Sequence, residues 1–383
     1  MKRWTYNCKE TGPGTLAGRY LRMFWQPVRR IQDTLSGQSL PIRIMGENFT
    51  LYCGASGRHY IVADRCAHRG APLSVGWVEG EEIRCRYHGW KFSGSGQCSE
   101  QPGEGEYAFC SRVKIRHIPV TEYMGMVFGY FGDGEPPPFP RYQELDGGGV
   151  IRPAVYRRNC NIANILDNLL DEVHVAFVHR QAFGRIPEIP IVTVTRTEFG
   201  AVSYCKRPGG VRVTEFLMPN VLRLSVPTPF EGVPWGDAVT WRVPIDDGAH
   251  LAFSIQRYEL EGELKQKFLD VQAKMKELPV PPMLEMADRV IAGEMTVEQA
   301  KAALPEHDPM LDVSFEDHVV MHGQGVVADW ENETLGRSDV GVYAIRDLWH
   351  ETLEVFADTG SVPKWVQPPN PVTTSGDGTQ AFA

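Results

Sequence analysis

Apolar positions change their period along the chain, and the changes divide it. Within PGTLAGRYLRMFWQPVRR (13–30), Leu16, Tyr20, Met23 and Phe24 recur near 3.6 residues, which predicts a short helix ended by Pro27. From 38 to 131 the pattern turns to short strand-like runs: PIRIMG, FTLYCG, HYIVAD, GEEIRCRYHGWKF, VKIRHIPVTEY and MGMVFGYF, divided by Gly, Asn, Asp and Ser. Repeated short strands with such turns predict a small antiparallel sandwich or barrel. Gly132-Asp133-Gly134-Glu135-Pro136-Pro137-Pro138 then reads as a stiff linker, because consecutive prolines favour the extended polyproline form, and 132–140 is the expected domain boundary.

Beyond the linker, IANILDNLLDEVHVAFVH reads as one helix with Ile162, Ile165, Leu166, Leu169, Leu170 and Val173 on its apolar face. Residues 191–260 return to strand texture, and 262–304 are charged and helical, interrupted by Pro279, Pro281 and Pro282. After His307-Asp308-Pro309 a further amphipathic helix is expected over about 314–329, and DVGVYAIRDLWHETLEVF forms the last helical stretch. Gln367 onward reads as a flexible tail. The pattern is that of an α+β protein in two parts, without internal repeats.

Composition narrows the functions open to such a chain. Its 383 residues suffice for two or three domains, each with its own core, and 38 Gly with 28 Pro suit a turn-rich, β-containing fold. A net charge of -9 offers no global positive field to nucleic acid or anionic lipid. MKRWTYNCKETGPG has no apolar stretch behind its basic residues, and no run of about 18 apolar residues occurs, so a soluble, cytoplasmic chain without a secretion signal or membrane span is expected. Eight cysteines, all within the first 205 residues, are too sparse for a disulfide framework and are available as thiols.

Two of them carry a pattern. Cys66-Ala67-His68-Arg69-Gly70 is followed, with 16 residues (69–84) between His68 and Cys85, by Cys85-Arg86-Tyr87-His88-Gly89-Trp90. Each half sets one thiolate and one imidazole at the tip of a hairpin-like loop. Two Cys and two His suit either a tetrahedral zinc site or a Rieske [2Fe-2S] cluster, in which two Cys hold one iron and two His the other. Zinc fingers group like with like in each half, whereas here each half carries one of each, as a pair of irons requires. Cys66, His68, Cys85 and His88 are therefore the expected cluster ligands, and in these residues the sequence resembles the Rieske domains. Cys53, Cys110, Cys160 and Cys205 read as buried small apolar residues, Cys98 as the most exposed, and His59 and His117 as structural.

In the second half the informative segment is Asn168-Leu169-Leu170-Asp171-Glu172-Val173-His174-Val175-Ala176-Phe177-Val178-His179. Asp171 and His174 share a helical face, but His179 lies about 140° further round a regular helix. Both imidazoles reach one metal only if the helix ends or bulges between them; otherwise they are two surface histidines.

A Rieske motif followed by D-x2-H-x4-H resembles the Rieske non-haem iron aromatic ring-hydroxylating oxygenases, and GPGTLAGRYLRMFWQPV and LGRSDVGVYAIRDLW extend the resemblance over most of the chain. The likeness is to the oxygenase components of the phthalate 4,5-dioxygenase and aryl-ether O-demethylase branch. It implies an N-terminal all-β Rieske domain (38–131) and a helix-grip catalytic domain, an antiparallel sheet with helices (141–366), with 1–37 packing on the catalytic domain and 367–383 as tail. It implies that His174 and His179 bind a mononuclear Fe(II) on a two-His, one-carboxylate triad, and that Asp171 bridges toward a cluster histidine of a neighbouring subunit in a head-to-tail homotrimer.

The third ligand should be a late carboxylate. In Ser314-Phe315-Glu316-Asp317-His318-Val319-Val320-Met321-His322-Gly323-Gln324 the family pattern points to Asp317. Ser314 as N-cap with Asp317 in the first turn is the structural reading of the same residues. Glu316 and Asp312 are rivals, and His318 with His322 could bind a metal but have no partner in this scheme. The implied reaction hydroxylates or O-demethylates an aromatic, carboxylated substrate with O2, in a mostly apolar pocket, using electrons from NAD(P)H through a separate reductase, with or without a ferredoxin; a Rieske electron-transfer protein is the alternative. A substrate carboxylate would want an Arg, and Arg207, Arg212, Arg223, Arg242 and Arg257 all lie in strand texture of the catalytic half.

Overall fold

The strand runs of the first half form three small antiparallel sheets in the computed structural model, which describes residues 4–180, 189–207, 210–228, 235–277, 282–304, 309–361, 364–365 and 367–371. Strands β1 (Trp25–Arg30), β10 (Val120–Tyr123) and β11 (Met126–Tyr130) make one sheet in the order β1-β11-β10. Strands β2 (Ser39–Ile44), β3 (Glu47–Cys53), β4 (His59–Ala63) and β9 (His117–Ile118) make a second, and β5 (Trp77–Glu79), β6 (Glu82–Arg84), β7 (Lys91–Ser93) and β8 (Cys98–Glu100) a third, each in that order. Tyr52, Val62, Leu73, Ile83, Trp90, Phe92 and Ile115 form a core around Cys66 and Cys85. Cys98, expected to be the exposed cysteine, is 3% exposed and part of this core, because β8 pairs with β7 and turns the thiol inward.

Two compact units result: Thr11–Phe139 with Val243–Asp246, and a C-terminal unit of the residues up to Glu10, Pro140–Arg242 and the described residues from Asp247 on. Residues 1–37 were expected with the catalytic half, but from Thr11 they belong to the N-terminal unit. The reason is local: helix α1 (Leu16–Arg22), capped by Thr15 Oγ1 accepting from Gly18 N at 3.1 Å, ends before Pro27, and Trp25–Arg30 pairs with Met126–Tyr130. Pro27 lies in an edge strand, where its missing N–H is tolerated.

The C-terminal unit is built on seven antiparallel strands: β12 (Val150–Arg158), β13 (Ile191–Thr197), β14 (Gly200–Arg207), β15 (Gly210–Leu217), β16 (Val221–Val226), β17 (Gly236–Asp246) and β18 (Ala249–Tyr258), ordered β12-β18-β17-β16-β15-β14-β13. The helices are α2 (Ile162–Leu169), α3 (Val173–Val178), α4 (Gly262–Glu277), α5 (Met283–Ile291), α6 (Val297–Lys301), α7 (Pro309–Gly323) and α8 (Val340–Thr359). The whole chain is thus α+β, an all-β unit followed by an antiparallel sheet with helices. Pro279, Pro281, His307, Asp308 and residues 372–383 of the expected tail lie outside the described residues.

Two helical expectations change. The helix read over 162–179 is two helices, broken at Leu170–Glu172. Glu172 is buried and locked to β15, accepting from Arg212 Nη1 at 2.8 Å and Thr214 Oγ1 at 2.9 Å, so the chain cannot continue as a regular helix. Helix α7 begins at Pro309, five residues before Ser314, so Ser314 is not its cap and Asp317 sits mid-helix; proline suits a first helical position, where no N–H partner is needed.

Gly341 of α8 holds the break in place. A Cβ there would lie 2.2 Å from the carbonyl oxygen of Leu170. Gly341→Ala is expected to destabilise the fold by about 1–3 kcal/mol through overpacking and to lower iron retention in the same protein. Thermal melting with iron quantification checks both, and an unshifted melting temperature would show that α8 and Leu170 have room to part.

Candidate metal centres

In the N-terminal unit, two loops close in the same way. Cys66 N donates to Ala71 O at 2.9 Å and Gly70 N to Cys66 O at 2.8 Å; Cys85 N donates to Trp90 O at 2.8 Å and Gly89 N to Cys85 O at 3.1 Å. Both turns need a left-handed residue, and Gly70 (φ +73°) and Gly89 (φ +74°) supply it. The thiols of Cys66 and Cys85 are buried and neighbour one another. Burial, with the Cys85 thiol beside it, pushes the Cys66 thiol up to about 11. The imidazoles lie toward the surface: His88 is exposed and His68 half-buried, their ring centroids 4.5 Å apart, with Trp90 stacked on His68 at 4.7 Å. His68 Nδ1 is buried without a hydrogen-bond partner, as a nitrogen meant for a metal would be in its absence.

In the C-terminal unit, the break before α3 and the end of α3 place two imidazoles on one point. His174 stands in the first turn and His179 at the C-cap. Asp171 Oδ1 caps the new helix, accepting from Val173 N at 3.0 Å and His174 N at 3.3 Å, while the Asp171 carbonyl accepts from His174 Nδ1. Nδ1 of His174 must then carry its proton, which leaves the Nε2 lone pair free to accept from Asn168 Nδ2 at 3.3 Å. His179 donates from Nδ1 to Glu316 Oε2 at 2.9 Å, and Lys301 donates to the other oxygen of Glu316 at 2.6 Å. Asp317 Oδ1 lies 3.1 Å from His179 Nε2 and 3.7 Å from His174 Nε2.

His174, His179 and Asp317 each offer a ligand atom, and the three atoms lie within 4.8 Å of one another. Glu316 and Asp312 are not in that group. Burial opposes charge on His179, but its bonds to Asp317 and Glu316 outweigh burial and hold its pKa up to about 9. Burial would raise the Asp317 carboxyl, yet the His179 bond and the nearby His174, His179 and Arg158 hold it below its ordinary value. Both imidazoles have Nδ1 engaged by an acceptor and Nε2 turned to a carboxylate, the outer-shell pattern of metal-ligating histidines. The donor set of two imidazoles and one carboxylate fits Fe(II).

A cavity of about 600 Å³ borders His174 and Asp171; Val178, Val320, Met321 and Leu335 give it a lining more apolar than polar, with Asn168 and Gln324 among its polar groups. The arginines considered for a substrate carboxylate are now distinguishable. Arg212 pairs with Glu172, Arg223 with Glu144 and Glu215, and Arg257 with Asp237 and Glu259. The side chain of Arg207 lies outside the described residues. Arg242 is 7% exposed, its guanidinium donates to the Trp241 carbonyl at 3.4 Å, and among the described residues no carboxylate pairs with it. Arg158, which sequence reasoning passed over, is equally buried, stacks on Tyr156 at 4.8 Å and leaves Nε unpartnered. Sequence reasoning also missed Lys301 and Asn168, which bond Glu316 fifteen residues on and His174 six residues on.

Residues 24–120 match the Rieske [2Fe-2S] domain, and residues 158–231 match the vanillate O-demethylase oxygenase C-terminal domain. The oxygenase subunit of 5,5'-dehydrodivanillate O-demethylase from a Sphingobium species is 26% identical over 92% of this chain and 80% of its own length. The alpha subunit of phenoxybenzoate dioxygenase from Ectopseudomonas oleovorans is 31% identical over 65% of this chain and 67% of its own. The structure of Pseudomonas putida CBB5 NdmA, a mutant with caffeine, shares the fold at a TM-score of 0.67 and 19% identity, covering 90% of this chain and 94% of that one. An electron-transfer protein alone would not carry the second matched domain. With both domains matched, the chain belongs to the Rieske non-haem iron oxygenases and is the oxygenase component of a multicomponent system, an oxidoreductase that incorporates O2.

Proposed function

We propose that Cys66, His68, Cys85 and His88 hold the [2Fe-2S] cluster, that His174, His179 and Asp317 hold the mononuclear Fe(II), and that the chain hydroxylates or O-demethylates an aromatic substrate bearing a carboxylate. When bound, the cluster supplies single electrons and the Fe(II) supplies open positions for O2. The protein does the rest. Asp171 and Glu316 hold the two imidazoles by Nδ1, and Lys301 keeps Glu316 ionised so that it stays an acceptor. The observation carrying the reading is the position of Asp317 Oδ1 on the Nε2 side of both histidines, with Glu316 on the opposite edge of His179.

The substrate class rests on charge. A buried guanidinium without an acid partner is costly unless a ligand completes it, and Arg158 and Arg242 both lie near enough to Asp317 to act on it electrostatically. We assign them to a substrate carboxylate, and the methyl ether of an aromatic acid suits the matched C-terminal domain. Electrons come from NAD(P)H through a separate reductase, directly or through a ferredoxin. The working form is a cytoplasmic homotrimer in which the cavity beside Asp171 and His174 receives the His68–His88 face of a neighbouring subunit; among the described residues no helix is long and apolar enough to cross a membrane.

The test is to supply the purified chain with a reductase, NADH and O2, and to screen aromatic acids and their methyl ethers. Substrate-dependent NADH consumption is expected, with formaldehyde released from the ethers. For the best acid, Arg242→Met should raise KM roughly tenfold or more, the worth of one charge-assisted hydrogen bond, and leave the KM of its neutral amide unchanged. Equal losses on acid and amide would overturn the carboxylate assignment.

A further inference from the structure

Three side chains that the oxygenase chemistry leaves unused converge beside α7. His318 and His322 are one helical turn apart, and their ring centroids stand 5.3 Å from each other. Asp288 reaches them from α5, with Oδ1 3.0 Å from His322 Nδ1. One nitrogen from each imidazole and one Asp288 oxygen lie within 4.8 Å of one another, a spread that small side-chain adjustments close onto the 2.0–2.2 Å bonds of a zinc ion. Met286 and Ala287 of α5 pack with Phe315 of α7, alongside Ala300 and Leu304, so the donors come from two helices already held together.

Ordinary hydrogen bonding does not account for the cluster. His318 is 1% exposed, and neither of its ring nitrogens has a partner. The Asp288 oxygen beside His322 Nδ1 is off hydrogen-bonding direction, so that nitrogen is unpartnered as well. Buried polar atoms are rarely left so, and an ion is one of the few things that would engage a nitrogen of each ring at once. The side chain of Asp288 is 46% exposed, which gives an ion a way in.

We infer that Asp288, His318 and His322 form a second metal site, separate from the His174–His179–Asp317 centre, that takes one zinc ion. Two imidazoles and a carboxylate, with a fourth position open to water, are zinc ligands of the ordinary kind. Such an ion would tie α5 to α7 one residue beyond Asp317 and hold the helix that carries it. The inference stands on these three residues and does not depend on the oxygenase reading.

The experiment loads the iron-replete full chain with zinc, desalts it and counts metals per chain. One zinc beyond the irons is expected, together with a rise in melting temperature on adding zinc. His322→Ala and Asp288→Asn, at half-buried and exposed positions, should each weaken zinc binding about 100-fold or more, since even outer-shell partners are worth 10–100-fold, with iron content unchanged. His174→Ala should keep the zinc. Cobalt(II) in place of zinc should give the intense visible bands of a four-coordinate ion in the wild type and not in His322→Ala. No bound zinc, equal zinc in His322→Ala, or zinc lost in His174→Ala would each overturn the site.

Discussion

Asp317→Ala is expected to leave two irons per chain where the wild type holds three, and to abolish oxygenation while the absorbance of the Rieske cluster persists. The cause is geometric. Asp317 Oδ1 is the one carboxylate oxygen among the described residues that lies on the Nε2 side of both His174 and His179, and the Nδ1 edges of both rings are already engaged. Glu316 is adjacent in sequence, but one helical residue turns it about 100° away, to the far edge of His179 and to Lys301. Glu316→Gln keeps an acceptor for His179 and loses the ion pair with Lys301. It should retain iron at an affinity about 10–100-fold weaker, as outer-shell changes do. Iron quantification and the cluster spectrum on the two variants separate the roles. Complete iron loss in Glu316→Gln with retention in Asp317→Ala would reverse them.

The two metal regions were legible in the sequence to different degrees, and the difference follows the range of the interactions. The loops at Cys66–Gly70 and Cys85–Gly89 close on themselves through bonds four or five residues long, so a local motif with its glycine carries nearly the whole geometry. The D-x2-H-x4-H run shows that a regular helix could not aim both imidazoles at one point. It does not show where the helix yields, because the break is held by Arg212 and Thr214, some forty residues on, and by the approach of Gly341 to Leu170. Asp288, the partner that His318 and His322 lacked, lies thirty residues upstream of His318 on another helix, and Arg158, like Arg242, is set apart only by forming no ion pair among the described residues. A pattern search finds residues; it does not find which charges go unpaired after folding. Cys98 was misjudged for a related reason, since a polar, Gly-rich neighbourhood conceals that β8 faces the core.

Asp171→Asn is expected to keep all three irons and lower turnover about 100-fold or more, about 2.7 kcal/mol of barrier. The residue does three things, and the substitution separates them. Its backbone carbonyl accepts from His174 Nδ1, which no side-chain change removes. Its Oδ1 caps α3 through the N–H groups of Val173 and His174, a task asparagine performs as well as aspartate. What is lost is the negative charge of a side chain that is 26% exposed beside the cavity, with Oδ2 3.8 Å from His174 Nδ1. If that charge serves an incoming histidine of a neighbouring subunit, the Asn variant should reduce normally by the reductase yet show slow loss of the reduced-cluster signal when substrate and O2 are added. Asp171→Ala, which removes the cap too, should add about 1 kcal/mol of destabilisation without slowing that signal further. A capping role alone predicts the opposite order, full activity in Asn and impaired activity in Ala, so the pair of variants decides whether Asp171 works by its charge or by its hold on the helix.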